Sequence, residues 1–373
     1  MRRIWPLLLA LLPALAAAQT EIVPGYADRP ARGPAAAAGI VIWNHGLGRL
    51  KESTSDTPFL LDGLADAGWD VVRLHRRWAS DRVEDSSAAL IAAAQGFKSQ
   101  GYRRVISAGQ SFGGWISFAA AGRTRGLFDA IIATAPAAHG EVGRSSNYEL
   151  NASHLYDMAS DLNPTRVLVV FFERDSYDPG GRGPRLARIL SQAGMPFAVI
   201  DRPAGFAGHS VGQSLGFARV FGPCILAFVA EARLPGAFPC QAADPAPLST
   251  DFALPKALSI AAPDSVAPEL RPFLGRWFGW YDNGRQLQLI VTGGTPDKVT
   301  AIYATTAQYR QPKAGGSHAG RSGTIDAGGT LSFAEGERSR LSYRPRADGR
   351  LEATWTRADG SGTLTTTLRR LAP

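Results

Sequence analysis

Between residues 39 and 232, short apolar runs alternate with helix-like stretches, and this order is the strongest constraint on the fold. The runs are Gly39–Trp43, Trp69–Leu74, Arg104–Ala108, Ala130–Ala135, Arg166–Phe172 and Phe197–Ile200. The helix-like stretches are Thr57–Ala67, Val83–Ser99, Phe112–Ala121, Pro184–Ala193 and Ser210–Ala232. Continuous apolar strands bounded by helices are typical of a parallel sheet covered on both faces. Right-handed crossovers then predict a doubly wound α/β layer.

The pattern changes after residue 232. Eight prolines fall between Pro235 and Pro272, which predicts an extended linker over residues 233–272. From about Phe273 the hydropathy period becomes two, as in Gln286–Leu289 and Leu351–Trp355, and Asp/Asn–Gly turn signals recur. We therefore expect an all-β antiparallel barrel or sandwich over residues 273–373, following an α/β domain over residues 19–232.

The first eighteen residues have the features of a targeting segment. Arg2 and Arg3 precede an apolar run, Ile4–Leu15, that is shorter than the ~20 residues a membrane span needs. Ala16, Ala17 and Ala18 provide a small-residue cleavage site. Residues 1–18 are thus predicted to be a signal peptide, with an uncleaved anchor helix as the alternative. No later stretch is long and apolar enough to cross a membrane.

Cysteine usage and charge narrow the compartment and the partners. Cys224 and Cys240 are the two cysteines, and in an exported chain this pair predicts a disulfide. The formal charge is +8, but no basic cluster with interleaved aromatic residues points to a nucleic-acid partner. Arginines far outnumber lysines and alanine is abundant, which indicates a GC-rich bacterial genome. A periplasmic or secreted bacterial protein is expected.

One pentapeptide gives the first indication of chemistry. Gly109-Gln110-Ser111-Phe112-Gly113 has the form G-x-S-x-G, with an apolar strand running into it and a helix running out. This strand–turn–helix setting is that of a nucleophile elbow, which lifts a serine hydroxyl clear of the sheet. A glycine-rich turn with an idle serine is the alternative. We predict that Ser111 is a nucleophile.

A serine hydroxyl needs a base to become a good nucleophile. His209 follows the last predicted strand, where a loop at the carboxyl edge of the sheet would carry it. It is therefore the preferred base. The other histidines that we considered are less well placed: His45, His75, His139, His154 and His318.

The base in turn needs an acid that fixes its tautomer. The loop after the fifth predicted strand offers Asp175, with Asp178 as the main rival and Glu173 as a weaker one. The chain order of serine, acid and histidine is the one required of an elbow enzyme. Asp175 is the preferred acid, and a merely solvated acidic loop is the alternative.

A tetrahedral intermediate also needs two hydrogen-bond donors. The backbone N–H of Phe112, which follows the nucleophile, is one. The other is expected in the turn after the first strand, from Leu47, with Gly48 as its rival. His45 in the same turn is expected to support it through its side chain.

These motifs together resemble the α/β-hydrolase superfamily, and within it the dienelactone-hydrolase-like and small serine esterase enzymes. The resemblance rests on Asn44-His45-Gly46, on the elbow, on Glu173-Arg174-Asp175 and on Gly208-His209, and it covers roughly residues 25 to 232. It implies hydrolysis through an acyl-enzyme, without a metal or organic cofactor. Dienelactone hydrolases carry a cysteine nucleophile, so serine at position 111 favours ordinary ester hydrolysis. The chain is expected to enter the sheet at the family's third strand.

The surroundings of the site give weaker indications. Residues 136–164, where this fold inserts a lid, are short and are expected to hold one helix. Phe112, Trp78 and Trp115 are candidates for lining a pocket, with core packing as the alternative. Arg76 and Arg77 are candidates for contacting an acidic substrate group, with a solvated surface as the alternative. In the β-domain, packing is favoured over ligand stacking for the aromatic residues Trp277, Trp280, Tyr281 and Trp355.

The expected function is that of an exported serine hydrolase acting on a small-molecule or lipid-like ester. A peptidase of the same superfamily is an alternative, because it uses the same triad. A non-catalytic envelope protein that binds a glycan or lipid on a hydrolase scaffold is another, and the complete triad speaks against it. The sequence indicates no oligomeric state.

Overall fold

The computed structural model describes most of the chain. The described residues are 20–47, 57–76, 81–141, 147–178, 180–231, 236–243, 252, 254–255, 257–281, 285–308, 316–335, 339–360 and 362–371. The predicted signal peptide lies outside them, as do Gly48, Arg77 and Trp78. Among the described helices, none is both long and apolar enough to cross a membrane.

A seven-stranded sheet forms the centre of the first domain. Its strands are β1 (Glu21–Pro24), β2 (Ile40–Asn44), β3 (Asp70–His75), β4 (Val105–Gln110), β5 (Ala130–Thr134), β6 (Arg166–Phe171) and β7 (Phe197–Asp201). Their order is β1-β3-β2-β4-β5-β6-β7, and β2 to β7 are parallel. The six predicted strands are these parallel ones, which confirms the α/β layer.

One expectation about this sheet is wrong. The chain does not enter at β2, because β1 precedes it and pairs antiparallel with β3 at the sheet edge. This strand has only four residues and is partly exposed. It therefore lacks the long buried run that identifies its parallel neighbours in the sequence.

In the described part of this domain, six α-helices cover both faces of the sheet. They are α1 (Leu60–Asp66), α2 (Val83–Ser99), α3 (Phe112–Gly122), α4 (Asn147–Ser160), α5 (Arg182–Gln192) and α6 (Leu215–Ala230). Leu90, Phe118 and Leu155 belong to the apolar core on one face, and Leu61 and Phe217 to the core on the other. In the segment where a lid was considered, the described residues form one helix, α4, as expected.

The last helix of this domain begins later than predicted. A short 3-10 turn, Val211–Gln213, comes first, and α6 starts at Leu215. The Ser214 hydroxyl accepts a hydrogen bond from the Phe217 N–H at 3.2 Å and so caps the first turn of α6. His209 precedes this turn and lies in the loop between β7 and α6.

The second domain is a closed antiparallel β-barrel. Of the two predicted architectures, barrel and sandwich, the barrel is therefore the correct one. Its strands are β8 (Gly275–Trp280), β9 (Arg285–Thr295), β10 (Lys298–Gln308), β11 (Ser317–Ile325), β12 (Leu331–Glu335), β13 (Ser339–Pro345), β14 (Leu351–Arg357) and β15 (Thr363–Arg370). Each pairs with its sequence neighbour, and β15 pairs with β8 to close the circle. Buried side chains such as Leu289, Leu341 and Tyr343 fill the interior.

The aromatic residues of β8 and the adjacent Tyr281 divide between two cores. Trp277 and Tyr281 pack inside the barrel. Phe278 and Trp280 point the other way, because side chains alternate along a strand, and they pack in an apolar cluster with Leu215 of α6. The preference for packing over ligand stacking is thus correct for Trp277, Trp280 and Tyr281, and Trp355 packs partly buried against the barrel core. Phe278 and Trp280 join the two domains.

The segment after α6 is fixed to the first domain. The predicted disulfide is present between Cys224 and Cys240, whose Cα atoms are 5.5 Å apart. Beside it, the Phe197 N–H donates to the Gly236 carbonyl at 2.7 Å, and the Phe238 N–H donates to the Phe197 carbonyl at 2.7 Å. The chain therefore runs along the outer edge of β7 as it leaves α6.

Candidate active site

The turn between β4 and α3 holds Ser111 in a strained conformation. Its backbone has φ 53° and ψ −120°, and φ values above zero are uncommon for residues other than glycine. The Ser111 N–H donates to the Thr134 carbonyl at 2.9 Å, which ties the turn to β5. The residue is only 8% exposed. Such a fixed, strained turn at the end of a central strand is the geometry of a nucleophile elbow.

The glycines on either side of Ser111 are required by close backbone contacts. A Cβ at Gly113 would lie 2.0 Å from the Asn44 carbonyl oxygen, and one at Gly109 would lie 2.3 Å from the Gly113 carbonyl carbon. Both distances are far below a van der Waals contact. The two glycines therefore allow the first turn of α3 to pack in close contact with the ends of β2 and β4.

His209 and Asp175 lie in direct contact. The Nδ1 of His209 is 2.8 Å from Oδ1 of Asp175, whose side chain is fully buried. The Tyr177 N–H donates to the same carboxylate oxygen at 2.8 Å. A carboxylate only accepts hydrogen bonds, so the proton of a neutral His209 is on Nδ1 and the lone pair is on Nε2. This is the tautomer of a general base.

The two rival acids have other partners. Asp178 forms an ion pair at 2.9 Å with Arg182, and both side chains are almost completely buried. Its Oδ1 also accepts from the Gly180 N–H at 2.8 Å. Glu173 forms an ion pair at 3.3 Å with Arg346 of the barrel. Asp175 is thus the member of the acidic loop that contacts the histidine.

Ser111 and His209 line the same cavity, which has a volume of about 320 Å³. Leu47 and Phe112, the two residues expected to donate to an oxyanion, line it as well. Phe112 is the first residue of α3, and the first N–H groups of a helix have no partner within it. Leu47 is 46% exposed and lies at the rim. The Nε2 of His209 is buried and makes no hydrogen bond within the described chain.

His45 supports the turn that carries Leu47. Its Nδ1 lies 2.6 Å from the Gly46 carbonyl, and its Nε2 accepts from the Arg76 N–H at 3.3 Å. Burial, and next the positive charge of Arg76, lower the pKa of His45 to about 4. The imidazole is thus neutral at pH 7 and acts as a hydrogen-bonded spacer in the turn.

Arg76 does not fit either of the roles considered for it. The side chain is 2% exposed and pairs with Asp81 at 2.8 Å, in a contact where both side chains are buried. Its guanidinium also donates to the His45 carbonyl. Arg76 therefore neither contacts an acidic substrate nor lies on a solvated surface. Through its contact with the His45 carbonyl, Arg76 supports the turn that carries Leu47.

The other histidines lie outside the Ser111 cavity. The Nε2 of His139 lies 2.9 Å from the Nδ1 of His154, and the His139 ring packs edge-on against Trp115 at 5.5 Å. The pKa of His139 is lowered mainly by burial, and secondly by electrostatic interaction with His154. The two histidines line a neighbouring cavity of about 450 Å³, which shares Phe112 with the Ser111 cavity.

The remaining histidines are farther away in the fold. His75 is the last residue of β3, and His318 lies on β11 of the barrel. Within the described residues, no group of three or more histidine, cysteine, aspartate or glutamate side chains is arranged to hold a metal ion.

Two residues of the site were missed by sequence reasoning. The Gln110 amide donates to the His209 carbonyl at 3.1 Å, while its oxygen lies against Gly46. The Tyr177 ring packs on the His209 imidazole with a centroid distance of 4.1 Å. Gln110 lies inside the elbow motif and Tyr177 lies between the two candidate acids. The only sequence signal for these two residues was thus their position next to predicted catalytic residues.

No known family profile and no curated protein sequence matches the chain. Among solved structures, the chain is similar to Est1E from Butyrivibrio proteoclasticus, with 15% identity over 53% of this chain and 93% of that one, at a TM-score of 0.40. An esterase from Pyrococcus furiosus has 11% identity over 52% of this chain and 81% of its own, also at 0.40. A puromycin-hydrolysing peptidase from Mycobacterium tuberculosis has 19% identity over 52% of this chain but only 34% of its own, at 0.38.

Each of these likenesses covers about half of the chain. The strand order and the elbow of this chain by themselves define the class: its first domain has the α/β-hydrolase fold.

Proposed function

We propose that this protein is an exported serine hydrolase that cleaves carboxylic esters through an acyl-enzyme on Ser111. The observation that carries the proposal is the position of His209. Its Nδ1 is held by the Asp175 carboxylate at 2.8 Å, and its ring lines the cavity of the strained Ser111. This arrangement supports the roles of Ser111 as nucleophile, His209 as base and Asp175 as acid.

The reaction has two acyl-transfer steps. His209 Nε2 removes the proton of the Ser111 hydroxyl as the oxygen attacks the ester carbonyl carbon. The N–H groups of Phe112 and Leu47 stabilise the negative charge that develops on the carbonyl oxygen. His209 then protonates the leaving alcohol, and the acyl group stays on Ser111. Water, activated by the same histidine, attacks the acyl-enzyme and releases the acid.

Asp175 contributes by orienting the imidazole and by stabilising its charged form. Tyr177 assists, since its N–H binds the carboxylate and its ring packs on the histidine. Gln110 ties the His209 backbone to the elbow through a bond of 3.1 Å. The three residues restrict the imidazole to the orientation that catalysis needs.

The size of the site favours short acyl chains. The 320 Å³ cavity lies at the lower end of the range for small-molecule sites. The neighbouring cavity, with Trp115, Phe112 and Met158 in its wall, offers apolar surface for the other half of the ester. The compact core supports a place near the dienelactone-hydrolase-like and small esterase enzymes, and the elbow serine favours the small serine esterases among them.

A panel of nitrophenyl esters and matching anilides, tested on the wild type and on Ser111→Ala, examines this proposal. We expect turnover of short-chain esters by the wild type and none by the variant. Faster cleavage of the anilides would favour a peptidase instead. No turnover of either series, together with tight binding of a glycan or a lipid, would favour a binding protein.

A further inference from the structure

The loops that carry Asp175 and His209 are joined by backbone hydrogen bonds. The Glu173 N–H donates to the Phe206 carbonyl at 3.2 Å, and the Gly208 N–H donates to the Glu173 carbonyl at 2.7 Å. Both bonds lie within three residues of the acid or the base. A force on one loop is therefore transmitted to the other.

Side chains of the barrel bind the backbone of the His209 loop. The Thr367 hydroxyl donates to the Gly205 carbonyl at 3.0 Å, and the Arg350 guanidinium donates to the Ala204 carbonyl at 3.3 Å. The contact is close: a Cβ at Gly205 would lie 3.1 Å from the Arg350 guanidinium. Gly205 also has φ +87°, so a turn that suits glycine meets the barrel at this point.

Charged groups bind the acid loop to the same side of the barrel. Arg346 is 3.3 Å from Glu173, and Arg174 is 2.6 Å from Glu352. Arg346 also lies 3.9 Å from Glu352, so charges of alternating sign cross the boundary between the domains. Arg174 has φ 51°, a conformation that is rare for a long side chain. The residue directly before Asp175 is thus strained and paired with the barrel.

The apolar part of the interface lies behind the His209 loop. Phe206, Val211 and Ser214 line a cavity of about 230 Å³, which Phe278 and Trp280 of β8 line from the other side. The barrel thus contacts the chain on both sides of the histidine, at Gly205 before it and at Leu215 after it.

We propose that the C-terminal barrel positions the candidate acid and base, with Arg346, Glu352 and Thr367 as positioning residues. The inference rests on the proposed function, because it gives these loops a catalytic task. The Arg346–Glu173 pair lies at the surface with both side chains partly exposed, and such pairs contribute little to global stability, so the effect of losing it is expected mainly in the rate. Small displacements of reacting groups have large kinetic effects. The barrel in this account is a built-in part of the active site.

The test compares Arg346→Gln with Arg340→Gln in the full-length protein. Arg340 lies on β13 and donates to Ser332 of β12 at 3.0 Å, so its contact is internal to the barrel. We expect kcat for a short ester to fall about tenfold in Arg346→Gln, with KM and the melting temperature unchanged relative to the control. Arg346→Lys retains the charge and is expected to recover part of kcat.

Hydrogen exchange of the same variants separates this inference from the proposed function. Arg346→Gln is expected to speed exchange in residues 171–178 and 203–211, and Arg340→Gln is not. Equal exchange in the two variants, or faster exchange with an unchanged kcat, would overturn the positioning role. If the wild type hydrolyses no ester but exchange in these residues is still faster in Arg346→Gln than in Arg340→Gln, the coupling by the barrel is supported and the esterase proposal alone is overturned.

Discussion

Asp178 and Arg182 form an ion pair at 2.9 Å in which both side chains are almost fully buried, three residues beyond the aspartate that contacts His209. The acidic loop therefore contains two buried aspartates with separate tasks. Asp175 faces the histidine. Asp178 secures the start of α5, because Arg182 is the first residue of that helix.

Asp175→Asn is expected to impair catalysis, whereas Asp178→Asn is expected to impair stability. The first leaves packing intact but removes the carboxylate that holds the His209 tautomer, so we expect kcat to fall by about 10⁴-fold with little change in melting temperature. The second leaves a buried guanidinium without its partner, so we expect a loss of about 3 to 5 kcal/mol in unfolding free energy. Urea unfolding and ester turnover of both variants measure this. The reverse pattern would make Asp178 the triad acid.

The elbow glycine gives a second prediction. Gly113→Ala places a Cβ 2.0 Å from the Asn44 carbonyl, so the backbone must move. We expect a loss of about 3 kcal/mol in stability together with loss of turnover. The matched control is Gly96→Ala in α2, where a Cβ meets nothing within 4 Å and a gain of about 0.5 to 1 kcal/mol is expected. An active, stable Gly113→Ala variant would contradict the packing described for the elbow.

His45 makes stability depend on pH. Its pKa is about 4 in the folded protein against 6.5 in the unfolded chain, so the unfolded chain takes up the proton first as pH falls. The contribution is complete above about pH 6.5 and is lost as pH falls toward 4. Between pH 7 and pH 4.5 it amounts to about 2 kcal/mol.

Urea unfolding of the wild type and His45→Asn at both pH values measures that contribution. The asparagine has no group that titrates in this range, so the variant is expected to show a shallower loss on acidification by about the same 2 kcal/mol. Parallel pH dependences for the two proteins would show that His45 is not buried in its neutral form.

The sequence predicted the parallel strands well, whereas it preferred Asp175 as the acid but left Asp178 and Glu173 open as rivals, for a physical reason. Continuous apolar runs identify strands that are buried on both faces, whereas β1 is short and exposed at the edge. Asp175 and Asp178 both follow β6, and sequence spacing cannot tell which one faces the histidine. That depends on the turn at Arg174, with φ 51°, and on the position of Arg182.

The contacts of the barrel with the acid and base loops were beyond sequence reasoning altogether. Glu173 and Arg346 are 173 residues apart in the chain, and nothing in their local patterns connects them. The sequence around Trp280 likewise does not indicate that its side chain packs against the first domain and not inside the barrel. Long-range contacts of this kind depend on how the barrel packs against the first domain. Local hydrophobic periodicity carries no information about that packing.

The disulfide gives a further stability prediction. The Cys224–Cys240 link closes a loop of 16 residues, for which the loss of chain entropy in the unfolded state is worth about 3 kcal/mol. Replacing both cysteines with serine is expected to lower the unfolding free energy by about that amount. A reductant should lower the stability of the wild type but not that of the double variant. Equal sensitivity of the two proteins would contradict the link.

The central claim is that Ser111 is the nucleophile, and covalent labelling tests it most directly. The intact protein is treated with a fluorophosphonate, digested, and mapped by mass spectrometry, alongside Ser111→Ala and His209→Ala. The account predicts one adduct, on the peptide that contains Ser111, which is absent from the first variant and strongly slowed in the second. An adduct on another residue, or labelling that persists in Ser111→Ala, would contradict it.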